Sequence, residues 1–122
     1  LNLNITKLNF FDHLISNKNF GFVKLISNKQ IIGILQFSWN KSECDIISIG
    51  VIEKFQKLNH GKKLVEYLIS LNFKNIYVEV SVNNKNAIMF YQRLNFLKIG
   101  LRKNYYKKQK SDAILLKLEN VN

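Results

Sequence analysis

Residues 55–68 read FQKLNHGKKLVEYL, and the rest of the chain is best understood outward from them. Leu64, Val65 and Leu68 fall three and four apart, the spacing of one buried helical face, which predicts a helix over residues 61–71. Its first turn holds Lys62 and Lys63 and no acid. A helix N-terminus carries unpaired N–H groups and partial positive charge, so it favours carboxylates and disfavours lysines. Upstream, DIISIGVI at 45–52 is apolar on both faces and reads as a central strand. A strand that runs through a short loop into a helix start aims several backbone amides in one direction, which makes an anion site. A phosphate held there would account for the lysines. Asn59 is the non-glycine type most tolerant of positive φ, and Gly61 leaves room for a ligand or a neighbouring strand. Lysine-rich coding explains the two lysines equally well, and this feature alone does not choose. The stretch fits neither a Walker loop nor the three-glycine dinucleotide fingerprint.

On either side lie further elements. NFGFVKLI at 19–26 and QIIGILQFSW at 30–39 read as strands around a turn at 27–29. NIYVEVSV at 75–82 alternates, with Ile76, Val78, Val80 and Val82 on one face and Tyr77, Glu79 and Ser81 on the other. Ala87, Phe90, Tyr91 and Leu94 mark a helix over 86–94, and residues 96–106 and 111–119 form a closing hairpin with a basic tip. A short helix is predicted over residues 6–17. The order is helix, three strands, helix, strand, helix, two strands. This predicts an α+β fold: a mixed, mostly antiparallel sheet with packed helices.

The 122 residues suffice for one domain, 1–122, and 47% apolar content suits a packed core. No apolar run reaches the roughly 18 residues of a membrane span, and the N-terminus has no secretory pattern. The chain starts at Leu1 rather than Met, as expected of a processed chain or a piece of a longer one. A single cysteine, Cys44, fits a reducing, cytoplasmic compartment, and two distant histidines give no zinc spacing, so no metal is expected. The net charge of +11 invites a nucleic-acid reading. However, 17 Lys, 17 Asn and 15 Ile against 2 Ala and no Pro are the bias of AT-rich coding, and only residues 104–110 are densely basic. Charge therefore does not require a nucleic-acid partner.

QKLNHG at 56–61 resembles the Gln/Arg-x-x-Gly-x-Gly/Ala loop of the GNAT acetyltransferase superfamily, and NKNAIMFYQRLNF at 84–96 resembles its Asn-x-x-Ala-x-x-x-Tyr-x-x-x-Gly-Phe segment, matched at Asn84, Ala87, Tyr91 and Phe96. GLRKNYY with DAILLKLE is similar to the closing hairpin of the RimI type, the ribosomal-protein-alanine N-acetyltransferases. The likeness runs from about Phe20 to Glu119. Asn59 and Asn95 stand where the superfamily has glycine, and Asn can take the same positive φ. The superfamily's first strand has no evident counterpart before Phe20, so it is expected to be missing, with part of the substrate wall.

The resemblance implies acetyl-coenzyme A as co-substrate. Backbone of Lys57, Leu58, Asn59, His60, Gly61 and Lys62 would cradle its pyrophosphate. Ile49, Gly50 and Val51 would pair with the pantetheine arm, the Val51 amide polarising the thioester carbonyl as an oxyanion donor. Asn84 would bond the cofactor, although an Asn at a helix start is also an ordinary cap. Glu79 would be the general base and Tyr91 the acid that protonates the departing thiolate. As bland alternatives, Glu79 could be a solvated strand residue and Tyr91 a core residue. Tyr105 and Tyr106 would grip the acceptor or serve as hairpin-tip aromatics.

The leading expectation is an N-acetyltransferase acting by direct transfer on a protein N-terminal amine, with the alanine of a ribosomal protein as the RimI-like acceptor. Alternatives are an amino-sugar or polyamine acetyltransferase, a non-enzymatic RNA-binding module built on residues 103–110, and a degenerate domain that only binds a partner.

Overall fold

A computed structural model describes the backbone of residues 2–8, 19–106 and 111–120, and the side chains of residues 19–103 and 111–120. Seven strands form one sheet: β1 (Asn2–Leu8), β2 (Asn19–Ser27), β3 (Gln30–Asn40), β4 (Glu43–Val51), β5 (Asn75–Ser81), β6 (Leu97–Tyr106) and β7 (Ser111–Glu119), in the spatial order β1-β2-β3-β4-β5-β7-β6. Helix α1 (His60–Ile69) links β4 to β5, and α2 (Lys85–Arg93) links β5 to β6. All neighbours are antiparallel except β4 and β5, as expected where a helix makes the connection. The α+β class read from the sequence holds.

The predicted N-terminal helix does not. Residues 6–8 belong to β1, whose backbone pairs with β2 from Asn2↔Ile26 to Leu8↔Phe20, so the first strand is present rather than missing. Its alternating NLNITKL is a strand period, and a helical spacing emerges only when it is run into residues 9–17. Residues 9–18 lie outside the described residues.

One face of the sheet carries the core. Val23, Leu25, Leu35, Phe37, Ile46, Ile76, Val78 and Leu116 bury against Leu64, Val65 and Leu68 of α1 and Tyr91 of α2. Period-two alternation on the strands and the three-and-four spacing on α1 supply this common face. Gly61 is where the two helices meet: a Cβ there would stand 3.4 Å from the Phe90 ring of α2. Ile49 of β4 would lie 4.0 Å from the same Cβ, so a helix and a strand both adjoin Gly61 at ordinary contact distance.

What positions the site is a split in the sheet. β4 and β5 pair only from Glu43↔Asn75 to Ile46↔Val78. At Ile47 the β3–β4 register slips, so that Gln36 faces Ser48 while Phe37 faces Ile46. A bulge bends and twists the strand that bears it. Beyond it β4 stays with β3 and β5 with β7, and a wedge opens between the two parallel strands.

Candidate active site

The wedge is the mouth of a cleft of about 1240 Å³, walled by β4 from Ile46 to Val51, β5 from Val78 to Ser81, the loop before α1, and the inner face of α2. Ile52 donates its N–H to the Ile32 carbonyl of β3 at 2.8 Å. Backbone groups alternate sides along a strand, so the preceding residue, Val51, turns its own N–H and C=O toward the cleft. The Gln56 side-chain amide takes that carbonyl at 2.8 Å, tying the loop to the strand end and leaving the Val51 N–H to whatever enters. In the sequence Gln56 is only a letter of the loop motif; the structure gives it this tethering job.

After a single 3₁₀ turn (Glu53–Phe55), the loop takes two left-handed steps, Lys57 at φ 62° and Asn59 at φ 64°. Asn59 behaves as its type predicts, and so does Asn95, at φ 74°. Lys57 has no such preference, and nothing in the sequence marks it. No side chain caps α1, and no acid lies in its first turn. Among the described residues, the amides of residues 57–62 donate to no protein acceptor. This is a helix terminus with orphan donors, ringed by Lys57, Lys62 and Arg93, and a phosphate is the group it fits. Asn59→Val would put a β-branched residue at positive φ. It is expected to cost about 1–2 kcal/mol of stability and to weaken ligand-induced stabilisation beyond that, as read by melting with and without acetyl-coenzyme A.

Ile49, Gly50, Val51, Lys57, Asn59, His60, Gly61, Lys62, Glu79, Asn84 and Tyr91 all line this one cleft. Leu58 does not, and its side chain is 57% exposed. The tyrosine side chains of Tyr105 and Tyr106 lie outside the described residues, as does most of the basic segment 103–110. Asn84 caps α2, its Oδ1 accepting from the Ala87 N–H at 3.1 Å, so the cap reading holds, and its amide nitrogen is left for a ligand. His60 is buried against Phe55, with its Nδ1 lacking a partner among the described residues. The loop motif points only to its backbone, and the buried ring is a finding of the structure.

Glu79 is the one carboxylate on the described cleft wall. Its Oε1 is 2.9 Å from Nη2 of Arg102, and its Oε2 is buried without a donor among the described residues. A buried carboxylate oxygen with no partner is costly, about 1–3 kcal/mol or more, so it is a place where a donor is wanted. Tyr91 is 3% exposed, its ring held edge-on by Phe90 and Phe96, and burial pushes its hydroxyl up to about 12. It is both core and cleft. Burial also pushes the Cys44 thiol up, with Asp45 adding to it, so the thiol stays protonated and inert. Among the described residues no cluster of His, Cys, Asp and Glu could hold a metal ion.

The described residues thus bring a sheet split, an uncapped helix start, a carboxylate and a tyrosine together in one cleft. Residues 4–96 match the acetyltransferase (GNAT) family, and the chain belongs to that family. N-alpha-acetyltransferase 50 of Danio rerio is 33% identical over 85 residues, 65% of this chain and 51% of the relative. The ribosomal-protein-S18-alanine N-acetyltransferase of Escherichia coli superposes with a TM-score of 0.76 at 25% identity, over 83% of this chain and 69% of that one. A GNAT family acetyltransferase of Elizabethkingia anophelis, solved with acetyl-CoA bound, superposes at 0.75 over 97% of this chain and 98% of its own, and at 21% identity it speaks for the fold alone. The chain spans about half the length of the curated relatives it matches (51%, 39% and 61%).

Proposed function

We propose that the chain is an acetyl-coenzyme A-dependent N-acetyltransferase that acetylates a protein N-terminal amine, with the alanine terminus of a ribosomal protein as the favoured acceptor. The observation that carries this reading is the meeting in one cleft of free amides at residues 57–62 with Glu79 and Tyr91. Acetyl-coenzyme A supplies an acetyl thioester. Amides of residues 57–62 hold the pyrophosphate, with Lys57 and Lys62 adding charge. Ile49, Gly50 and Val51 align the pantetheine arm, and Asn84 steadies it through its free amide nitrogen. The Val51 N–H donates to the carbonyl oxygen as negative charge builds there, a donor worth about 3 kcal/mol of barrier. Glu79 takes the proton of the attacking amine at Oε2, directly or through a water. As the C–N bond forms and the C–S bond breaks, the Tyr91 hydroxyl donates to the sulfur. Glu79 then releases its proton to solvent and Tyr91 regains one from it, so both groups return to their starting states.

The acceptor assignment is supported by the kind of relatives found: one of those compared is by name an N-alpha-acetyltransferase and another a ribosomal-protein-alanine N-acetyltransferase. The buried Cys44 suits a reducing, cytoplasmic setting, and neither a metal, a membrane nor a nucleic acid has a part in the reaction. Tyr105 and Tyr106 remain the side chains proposed to hold the acceptor's first residues. The test is to incubate the protein and acetyl-coenzyme A with peptides beginning Ala, Ser or Met, an amino sugar and a polyamine. Acetylation of the Ala peptide above the others is expected. Turnover of the amino sugar or polyamine alone would overturn the acceptor and keep the transferase; no binding of acetyl-coenzyme A would overturn both.

A further inference from the structure

Glu79 does not face the cleft unaided. Its ion-pair partner sits two strands away, on β6, with β7 between them. Register explains the reach. Ser81, Ala113 and Arg102 share one row across β5, β7 and β6, while Glu79, Leu115 and Gly100 share the next on the same face. Ala113 puts only a methyl group between the outer strands in the arginine's row, while in the glutamate's row Leu115 fills the space over Gly100, where a Cβ would stand 3.2 Å from its Cδ1. The guanidinium can therefore cross β7 and meet Oε1 at 2.9 Å. The Arg102 side chain is 53% exposed and that of Glu79 28%, so as a stability device the pair contributes little. It has a geometric effect instead. With Oε1 held, the carboxylate can no longer swing freely, and Oε2, which has no partner among the described residues, becomes the oxygen presented to an incoming donor.

We propose that Arg102 is a positioning residue for the base: it fixes which oxygen of Glu79 meets the acceptor amine and holds it there before the amine arrives. The proposal rests on Glu79 serving as the base. A cation beside Oε1 leaves Oε2 as the site for the ammonium, so the acceptor competes with water and not with Arg102. A residue that sets a reacting group's placement should act on turnover and leave the thioester's binding alone.

The experiment measures kcat and KM on the Ala-starting peptide, and the rise in Tm with acetyl-coenzyme A, for wild type, Arg102→Ala, Arg102→Lys and Glu79→Gln. Arg102→Ala should lower kcat by roughly tenfold with an unchanged KM for acetyl-coenzyme A and an unchanged Tm rise. Free guanidinium should restore part of that loss, and Arg102→Lys should keep most of the rate; a merely structural arginine would give neither. Arg102→Ala with wild-type kcat, a loss that guanidinium leaves untouched, or a parallel loss of acetyl-coenzyme A stabilisation overturns the positioning role while Glu79→Gln stays inactive and the base reading stands. An active Glu79→Gln, or a wild type that acetylates no peptide, overturns the base reading and this one with it.

Discussion

Glu79→Gln is expected to lower kcat on a peptide acceptor by about 10²–10⁴-fold while acetyl-coenzyme A still raises the Tm as it does for wild type, since a positioned general base contributes an acceleration of that order. Glutamine has the shape of glutamate, keeps an acceptor oxygen on the strand and disturbs no core contact, so the loss can be assigned to the missing base. An α-amino group titrates near pH 8, so much of the acceptor arrives protonated at neutral pH and cannot attack until a base takes the proton. The substituted protein should accordingly recover part of its rate as the pH rises past the amine's own pKa, because solvent then does what Glu79 did. Steady-state rates between about pH 6 and 9 check this. A variant with wild-type kcat would remove Glu79 from the chemistry and leave it an ordinary strand carboxylate.

The second large effect belongs to Tyr91. Tyr91→Phe keeps the ring that packs between Phe90 and Phe96 and removes only the hydroxyl. A hydrogen bond to a charged group contributes about 1.5–3 kcal/mol, so kcat should fall about 10–10²-fold with acetyl-coenzyme A binding intact. The acidity matters here. A phenol and a thiol of similar pKa would share a proton readily, but burial lifts Tyr91 to about 12, which makes it a secure donor and a reluctant acid. In the proposed mechanism it would stabilise charge on the sulfur first and part with its proton late. Stability tracks the same shift. A tyrosine ionises near 10 in the unfolded chain and near 12 here, so its share of stability is intact below pH 10 and is lost as pH climbs to 12. Tyr91→Phe should melt with a shallower alkaline decline than wild type when Tm is monitored from pH 9 to 12.

Much of this is legible in the sequence because it rests on local rules. Leu64, Val65 and Leu68 name the buried side of α1, the alternation at 75–82 puts Glu79 on the opposite face from Val78, and Asn59 and Asn95 take the positive φ their type allows. What is not legible depends on register. β1 escapes a sequence reading because its seven-residue strand period merges with residues 9–17 into an apparent helical spacing. The bulge at Ile47, which opens the wedge, is a mismatch between two strands, and DIISIGVI alone does not encode it. The Glu79–Arg102 pair joins residues on strands that are not neighbours, brought within reach across the small side chain of Ala113. Lys57 in the left-handed region has no signal at all.

In the proposed mechanism the free amides ahead of α1 and along the end of β4 receive the two parts of one ligand. Titrating isotope-labelled protein with acetyl-coenzyme A and monitoring backbone amide shifts tests it directly. The largest changes are expected at residues 57–62 and at Ile49 to Val51, with Ile31 and Lys41, away from the cleft, unmoved. Shifts confined to surfaces outside the β4–β5 wedge, or none at saturating ligand, would contradict it.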